Sequence, residues 1–167
     1  VLPEIGPGGV DRLARLVERV AWAGVPPHPL RRLTALLPPD PEVAAAVGAR
    51  LRLSNRAARR LAAAASTGGS DGPELLAYRI GAEEAADRIL LGDGDPGAVA
   101  ALAGWQRPRL RVGGGDLIAM GLEAGPVVAR TLQAIEREWA EAGFPAEAAA
   151  QRAIARRHVD QALRERQ

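Results

Sequence analysis

Apolar residues recur along this chain at the three- and four-residue spacing of a helix, and no stretch shows the strict alternation of a half-buried strand. In Val10 to Val20 (VDRLARLVERV), Val10, Leu13, Val17 and Val20 share one face with charges opposite, which predicts an amphipathic helix. Gly24 and the prolines 26, 27 and 29 end it, and Leu30 to Leu37 follows as a short helix stopped by Pro38 and Pro39. Asp40-Pro41-Glu42 reads as N-cap, N1 and first-turn acid of a helix running to about Leu51, because proline lacks only a donor that would be unpaired there anyway. Asp95-Pro96 repeats the device ahead of a helix ending near Trp105. Ser54 caps a helix from Asn55 to about Ala65, Ser66 to Pro73 (STGGSDGP) is a flexible loop, and Glu74 to Ile80 and Glu83 to Leu91 form a pair parted by Gly81.

Gln106 to Gly115 (QRPRLRVGGG) breaks the pattern. Pro108 biases its neighbour away from helix, so the segment reads as extended, with Arg107, Arg109 and Arg111 projecting to one side and Trp105 just before them. Helical spacing then returns with Val128, Leu132, Ile135 and Trp139, and again from Ala146 to about Arg164 in an Arg-rich helix. The expectation is an all-α fold, a multi-helical array of about nine or ten short helices without significant sheet.

Composition narrows the picture. With 47% apolar but only 3% aromatic residues, the core has to be built from Ala, Leu and Val, which favours helices because Ala is the best helix former and is depleted in strands. The length of 167 residues suits one domain, or two small ones sharing a core. Without cysteine there is neither a disulfide nor a thiolate metal site; no long apolar run or targeting segment is visible, so a soluble, cytoplasmic protein with no membrane partner is expected. All 22 basic residues are Arg, an excess that fits an RNA partner, since guanidinium forks bind phosphate and stack on bases, and equally fits a GC-rich coding sequence.

Candidate catalytic chemistry is scarce. His28 sits in a proline-rich turn and His158 on the last helix, with no second His at ligand spacing, and Asp93-Gly94-Asp95 reads as a turn and N-cap more readily than as a carboxylate metal pair. Gly113 to Leu132 (GGGDLIAMGLEAGPVVARTL) matches neither a Walker loop, which needs Gly-Lys-Ser/Thr, nor a dinucleotide fingerprint, which needs a preceding strand. Asp116 serves better as N-cap or first-turn acid of a short helix from Leu117 to Met120, with Gly121 as its left-handed stop. Gly125-Pro126 then opens a new helix whose free amides at Val127 and Val128 would face solvent, with Arg130 one turn further in. Such a pair is either a helix-hairpin-helix that holds a backbone phosphate without reading sequence or an ordinary αα-hairpin that binds nothing. Further candidates for RNA contact are the row Arg107, Arg109 and Arg111 and the cluster Arg56, Arg59 and Arg60, whose alternative is a solvated helix face.

With these residues in hand, the chain resembles the C-terminal region of bacterial CCA-adding tRNA nucleotidyltransferases and the related poly(A) polymerases. The resemblance rests on LPE at Leu2 to Glu4, RRLTALLPP at Arg31 to Pro39, RLRLSN at Arg50 to Asn55 and above all GGDLIAMGLEAGP at Gly114 to Pro126, and it runs in order over essentially the whole chain. In that family a separate N-terminal head carries the catalytic aspartates, and the helical body and tail hold tRNA. The resemblance therefore implies a tRNA-binding region that lacks a catalytic site, with Mg2+ and CTP or ATP belonging to a head outside this chain and no cofactor in it. The opening residue Val1 instead of Met fits that expectation. Residues 1–66 are then expected to form a body segment and 67–167 the remaining body and tail, with the hairpin at 116–140. Two positions depart from the family: its Lys before the Asp is Gly115 here, and a glycine of the second helix is Ala129, which leaves Arg111 or Arg130 to supply a cation. The alternative is a helical protein-interaction module without RNA affinity, to be recognised by arginines paired evenly with acids.

Overall fold

The computed structural model describes residues 3–66 and 71–165, so the middle of the loop expected at Ser66 to Pro73 lies outside the described residues. The chain is all-α. Its helices are α1 (Pro7–Trp22), α2 (Pro29–Leu36), α3 (Pro41–Arg50), α4 (Asn55–Ala65), α5 (Pro73–Ile80), α6 (Ala82–Leu91), α7 (Gly114–Ala119), α8 (Pro126–Glu141) and α9 (Ala148–Arg164), with a 3-10 segment at Pro96–Leu102 in place of the helix expected after Asp95. No strand occurs among the described residues.

The chain divides into two compact units, residues 1–106 and 107–167, and not at residue 66 as expected. The physical reason is a buried ionic node that ties the two sides of that expected boundary together. Asp87 on α6, fully buried, accepts from Arg31 Nε on α2 at 2.7 Å and from Arg60 on α4, Nε at 2.6 Å and Nη2 at 3.1 Å. Charges so far from water persist only when each is paired and hydrogen-bonded, so α2, α4 and α6 are locked as one body.

The apolar core of the first unit draws on the same three helices. Leu37, Ala44, Val47, Leu61 and Ala65 pack together, and a second cluster joins Leu16, Ala35, Leu90 and Val99. Each fully buried Leu or Val contributes about 1.5–3 kcal/mol of transfer free energy. On α1 the inward face is Leu13, Leu16 and Val20, whereas Val10 and Val17 are 63% and 48% exposed, contrary to the face read from the sequence. Gly9 sets that rotation: a Cβ there would lie 2.4 Å from Leu36 O, so α1 meets α2 through a residue with no side chain to mark the face.

Helix ends are closed systematically. At α7, Leu122 N–H donates to Leu117 O at 3.1 Å and Gly121 N–H to Ile118 O at 2.9 Å, with Gly121 at φ 112, the paired bonds of a Schellman stop. Leu117 and Leu122 are both buried, so the hydrophobic contact that accompanies this motif is present too. The same pair of bonds ends α1, α3 and α8, in α3 with Arg52 at φ 51 as the left-handed residue. Arginines close other ends from a distance: Arg12 donates to Ala35 O and Leu37 O at 3.1 and 2.8 Å, Arg19 to Leu90 O and Ile89 O at 2.9 Å each, and Arg88 to Ala63 O at 2.9 Å. Each places a cation at the negative end of a helix dipole and satisfies carbonyls that the helix leaves unpaired.

The second unit is built on α8 and α9. Ile135, Trp139 and Ala140 of α8 are buried, as are Ile154, Ala155 and Val159 of α9, with Val112, Leu117 and Leu122 completing the core. Trp139 also meets Phe144 edge to face at 5.2 Å. α7 packs on α8 closely enough that a Cβ on Gly114 would lie 3.2 Å from Val128 Cγ1, so this glycine serves helix packing and not a nucleotide-cradling loop.

Candidate nucleic-acid interface

The arginine row takes its shape from the chain that carries it. Arg107, Arg109 and Arg111 are exposed, while Pro108 and Leu110 are half-buried and Val112 is buried, the alternation that an extended segment imposes. Arg111 N–H donates to Gln151 Oε1 at 2.9 Å; Gln151, only 2% exposed on α9, in turn donates from Nε2 to Pro145 O at 2.9 Å, and Trp139 Nε1 donates to the same carbonyl at 3.0 Å. The row is thus pinned to α9 by a satisfied, buried side chain. Gln151 was not singled out in the sequence, yet it left a signal: a polar residue in register with Ile154, Ala155 and Val159 on the apolar face of its helix.

The other arginine cluster has a different role. Arg60 is 8% exposed and bound to Asp87, with Glu83 Oε2 at 2.8 Å from its Nη1, and the Asp87 hydrogen bond pushes the guanidinium further up so that it stays charged. Burial removes Arg60 from any RNA surface. Arg56 remains exposed, 3.3 Å from the same Glu83 carboxylate. Trp105 is half-buried against Leu76, Ala77 and Ala85, a core contact and not part of the exposed row.

At the α7–α8 hairpin, Gly125 adopts φ 150 and Pro126 begins α8, with no side chain capping the helix. Of the two amides expected to be free, Val128 N–H instead donates to Gly125 O at 3.1 Å, a tightened first turn, so of the two only the Val127 N–H is left without a backbone acceptor. Gly125, Val127 and Arg130 come together on the wall of a groove of about 800 Å³, whose opposite side is formed by His158, Gln161 and Ala162 of α9 and by Glu165 just beyond it. His158 Nε2 also lies 2.7 Å from Glu138 Oε2, and Arg157 bonds the other oxygen; chiefly that Arg157 bond holds the Glu138 carboxyl below the usual range. Asp116 acts as a first-turn acid, its Oδ2 accepting Gly113 N–H at 2.8 Å.

The two units use arginine differently. The first has 12 arginines against 12 acids, the second 10 against 8, so the formal charge of +2 belongs to the second. In the first, only Arg32, Arg52 and Arg59 have a guanidinium without any hydrogen bond or ion pair among the described residues, and even the cavity of about 490 Å³ lined by Arg12, Arg15, Arg19 and Arg88 is edged by guanidiniums already committed to carbonyls or to Asp93. In the second, Arg109, Arg111, Arg130, Arg137 and Arg152 have no ion pair or side-chain hydrogen bond among the described residues.

The remaining chemistry is structural. His28 Nδ1 accepts Leu30 N–H at 3.2 Å as the cap of α2, and Asp95 accepts Gly97 N–H at 2.9 Å as the cap of the 3-10 segment. Among the described residues no group of three or more His, Asp or Glu is placed to hold a metal ion, and no helix is long and apolar enough to cross a membrane. Compared with protein-family models, curated proteins and solved structures, the chain matches none.

Proposed function

We propose that this chain is the RNA-binding, tRNA-positioning region of a CCA-adding or poly(A) polymerase-like nucleotidyltransferase, with catalysis, Mg2+ and nucleotide belonging to a separate head. The observation that carries the reading is the contrast in arginine use: the second unit has an excess of arginines, several of them exposed and without internal partners, and a buried glutamine fixes the chain that carries two of them. Exposed guanidiniums at fixed spacing are suited to successive phosphates of a backbone, which they grip without reading sequence. Motif order along the chain supports the tRNA substrate, and the α7–α8 hairpin supports backbone contact. Binding of full-length tRNA, followed by fluorescence anisotropy, is expected at a Kd on the order of micromolar and to weaken steeply as salt rises. Absent binding, or binding indifferent to salt, contradicts the proposal.

For the first unit, a second reading as a protein-interaction module is favoured by arginines matched in number by acids and mostly committed to internal acids or carbonyls, and by the exposed Val10 and Val17 on α1. It predicts that tRNA binding does not respond to substitutions there.

A further inference from the structure

The exposed side of α1 carries more than scattered apolar residues. Val10, Ala14, Val17 and Ala21 are all exposed and follow one another at intervals of four, three and four residues, the spacing of a coiled-coil seam. They form a strip of three helical turns, roughly 16 Å at 1.5 Å per residue. The strip lies beside the Leu13, Leu16 and Val20 face that enters the core. Single apolar residues on a surface need no explanation, whereas a seam of them is the pattern of helix–helix contact. Ala14 and Ala21, alternating with the valines, leave room for large side chains from a facing helix.

Charge along the free edge of the strip selects the occupant. Asp11, Glu18 and Trp22, at i, i+7 and i+11, run along that edge and are exposed. Neither carboxylate has an ion pair or side-chain hydrogen bond among the described residues, and Arg15, which lies between them in the chain, is held by Asp93 at 2.6 Å. Trp22 is 68% exposed, yet its ring is fixed in place. A Cβ on Gly97 would lie 2.7 Å from Trp22 Cζ3 and 3.2 Å from Asp95 Oδ1, so the ring and a second carboxylate meet at the same backbone. An exposed indole with Glu18 one turn before it and Asp95 beside it suits a cation, which the negative face of the ring attracts. The same acids repel nucleic acid and anionic lipid. They also oppose a second copy of α1: antiparallel, Asp11 and Glu18 would face their own counterparts, and parallel, they would face Leu13 and Val20. We infer that the strip docks a helix of a partner protein, one with large apolar residues at the same spacing and Arg or Lys along the row that faces Asp11, Glu18 and Trp22. The inference rests on the second reading above, the first unit as a protein-interaction module, and is independent of RNA binding by the second unit.

The test uses the full chain and two synthetic helical peptides of equal length with Leu at the seam positions, one with Arg and one with Glu at the flanking positions, titrated in amide NMR spectra. The Arg peptide is expected to shift the amides from Val10 to Trp22 and the Trp22 indole N–H saturably. It should bind about four- to thirtyfold tighter than the Glu peptide, as two facing pairs change from repulsion to attraction at the strength of exposed pairs. Asp11→Arg together with Glu18→Arg should reverse that preference, which a nonspecific apolar contact does not predict. Val17→Glu should weaken the Arg peptide about tenfold or more by placing an unpaired charge in the contact, with circular dichroism unchanged because Val17 is exposed. Trp22→Ala should cost the Arg peptide about two- to fivefold. No binding of the Arg peptide, shifts confined to other residues, equal affinity for the two peptides, or an unchanged preference in the charge-reversed variant overturns the inference. So does a dimer in sedimentation that Val17→Glu dissociates, since a second copy then covers the strip. If the Arg peptide fails to bind while tRNA affinity ignores Val17→Glu, the docking face falls and the second reading stands. If Val17→Glu weakens tRNA binding, the strip meets RNA and both fall.

Discussion

Asp87 provides the sharpest separation of structural from ligand-binding arginines. Asp87→Asn keeps the side chain's shape and removes its charge, leaving Arg31 and Arg60 at 6% and 8% exposure without their shared anion. Arg60 retains Glu83 at 2.8 Å, but Arg31 keeps only Pro26 O at 3.2 Å. Removing one member of a buried ionic set costs about 3–5 kcal/mol, because the remaining charge stays desolvated. With a urea dependence of roughly 1.5–2 kcal/mol per M for a unit of this size, the unfolding midpoint should drop by about 2 M in circular dichroism. Replacing the whole set, as R31M/D87L/R60M, should be neutral or stabilising instead, since no charge is left unpaired. Neither variant should change tRNA affinity when measured well below its unfolding midpoint. The reasoning is refuted if D87N costs under about 1 kcal/mol, against the value expected for a buried set, or if the triple variant loses tRNA binding while folded.

Two further outcomes follow from particular contacts. Arg52 sits at φ 51 as the left-handed stop of α3, exposed and without a side-chain partner; Arg52→Gly should relieve the Cβ strain and, after the entropy cost of glycine, stabilise by up to about 1 kcal/mol in thermal or urea unfolding, whereas a loss of stability would show that the side chain contributes a contact. Gln151→Leu fills the same space but strands Arg111 N–H and removes one donor from Pro145 O, so it should cost about 1–3 kcal/mol and raise hydrogen exchange at the Arg111 amide; unchanged protection there would mean that something other than Gln151 pins the row.

Helix existence was legible because its signals are local: Asp40 and Ser54 cap where they stand, Pro41 and Pro126 occupy first turns, and Gly121 stops α7, all decided by residues within one turn. Facing was legible where side chains mark it, as in the buried Ile135 and Trp139, and misread on α1, where Gly9 leaves the contact face unmarked and Val10 and Val17 supply a competing stripe. The division of the chain was not legible, because Arg31, Arg60 and Asp87 look like surface charges until long-range folding brings them together. The candidate site followed the same rule. Alternation around Pro108 foretold the exposed row, and helix spacing placed Val127 and Arg130 on one face, but the loss of Val128's donor to Gly125 and the burial of Arg60 depend on geometry that spacing does not encode.

The central claim, that unpartnered arginines of the second unit hold RNA phosphates, is tested most directly by the salt dependence of tRNA binding. For the wild-type chain, log Kobs should fall linearly with log salt, and R109Q/R111Q should flatten that slope by about 1.4–1.8, two phosphate contacts at about 0.7–0.9 each. Arg79→Gln, which removes a cation paired with Asp71 in the first unit, should leave the slope unchanged. Equal slopes for R109Q/R111Q and the wild type, or an equal change from Arg79→Gln, would contradict the account.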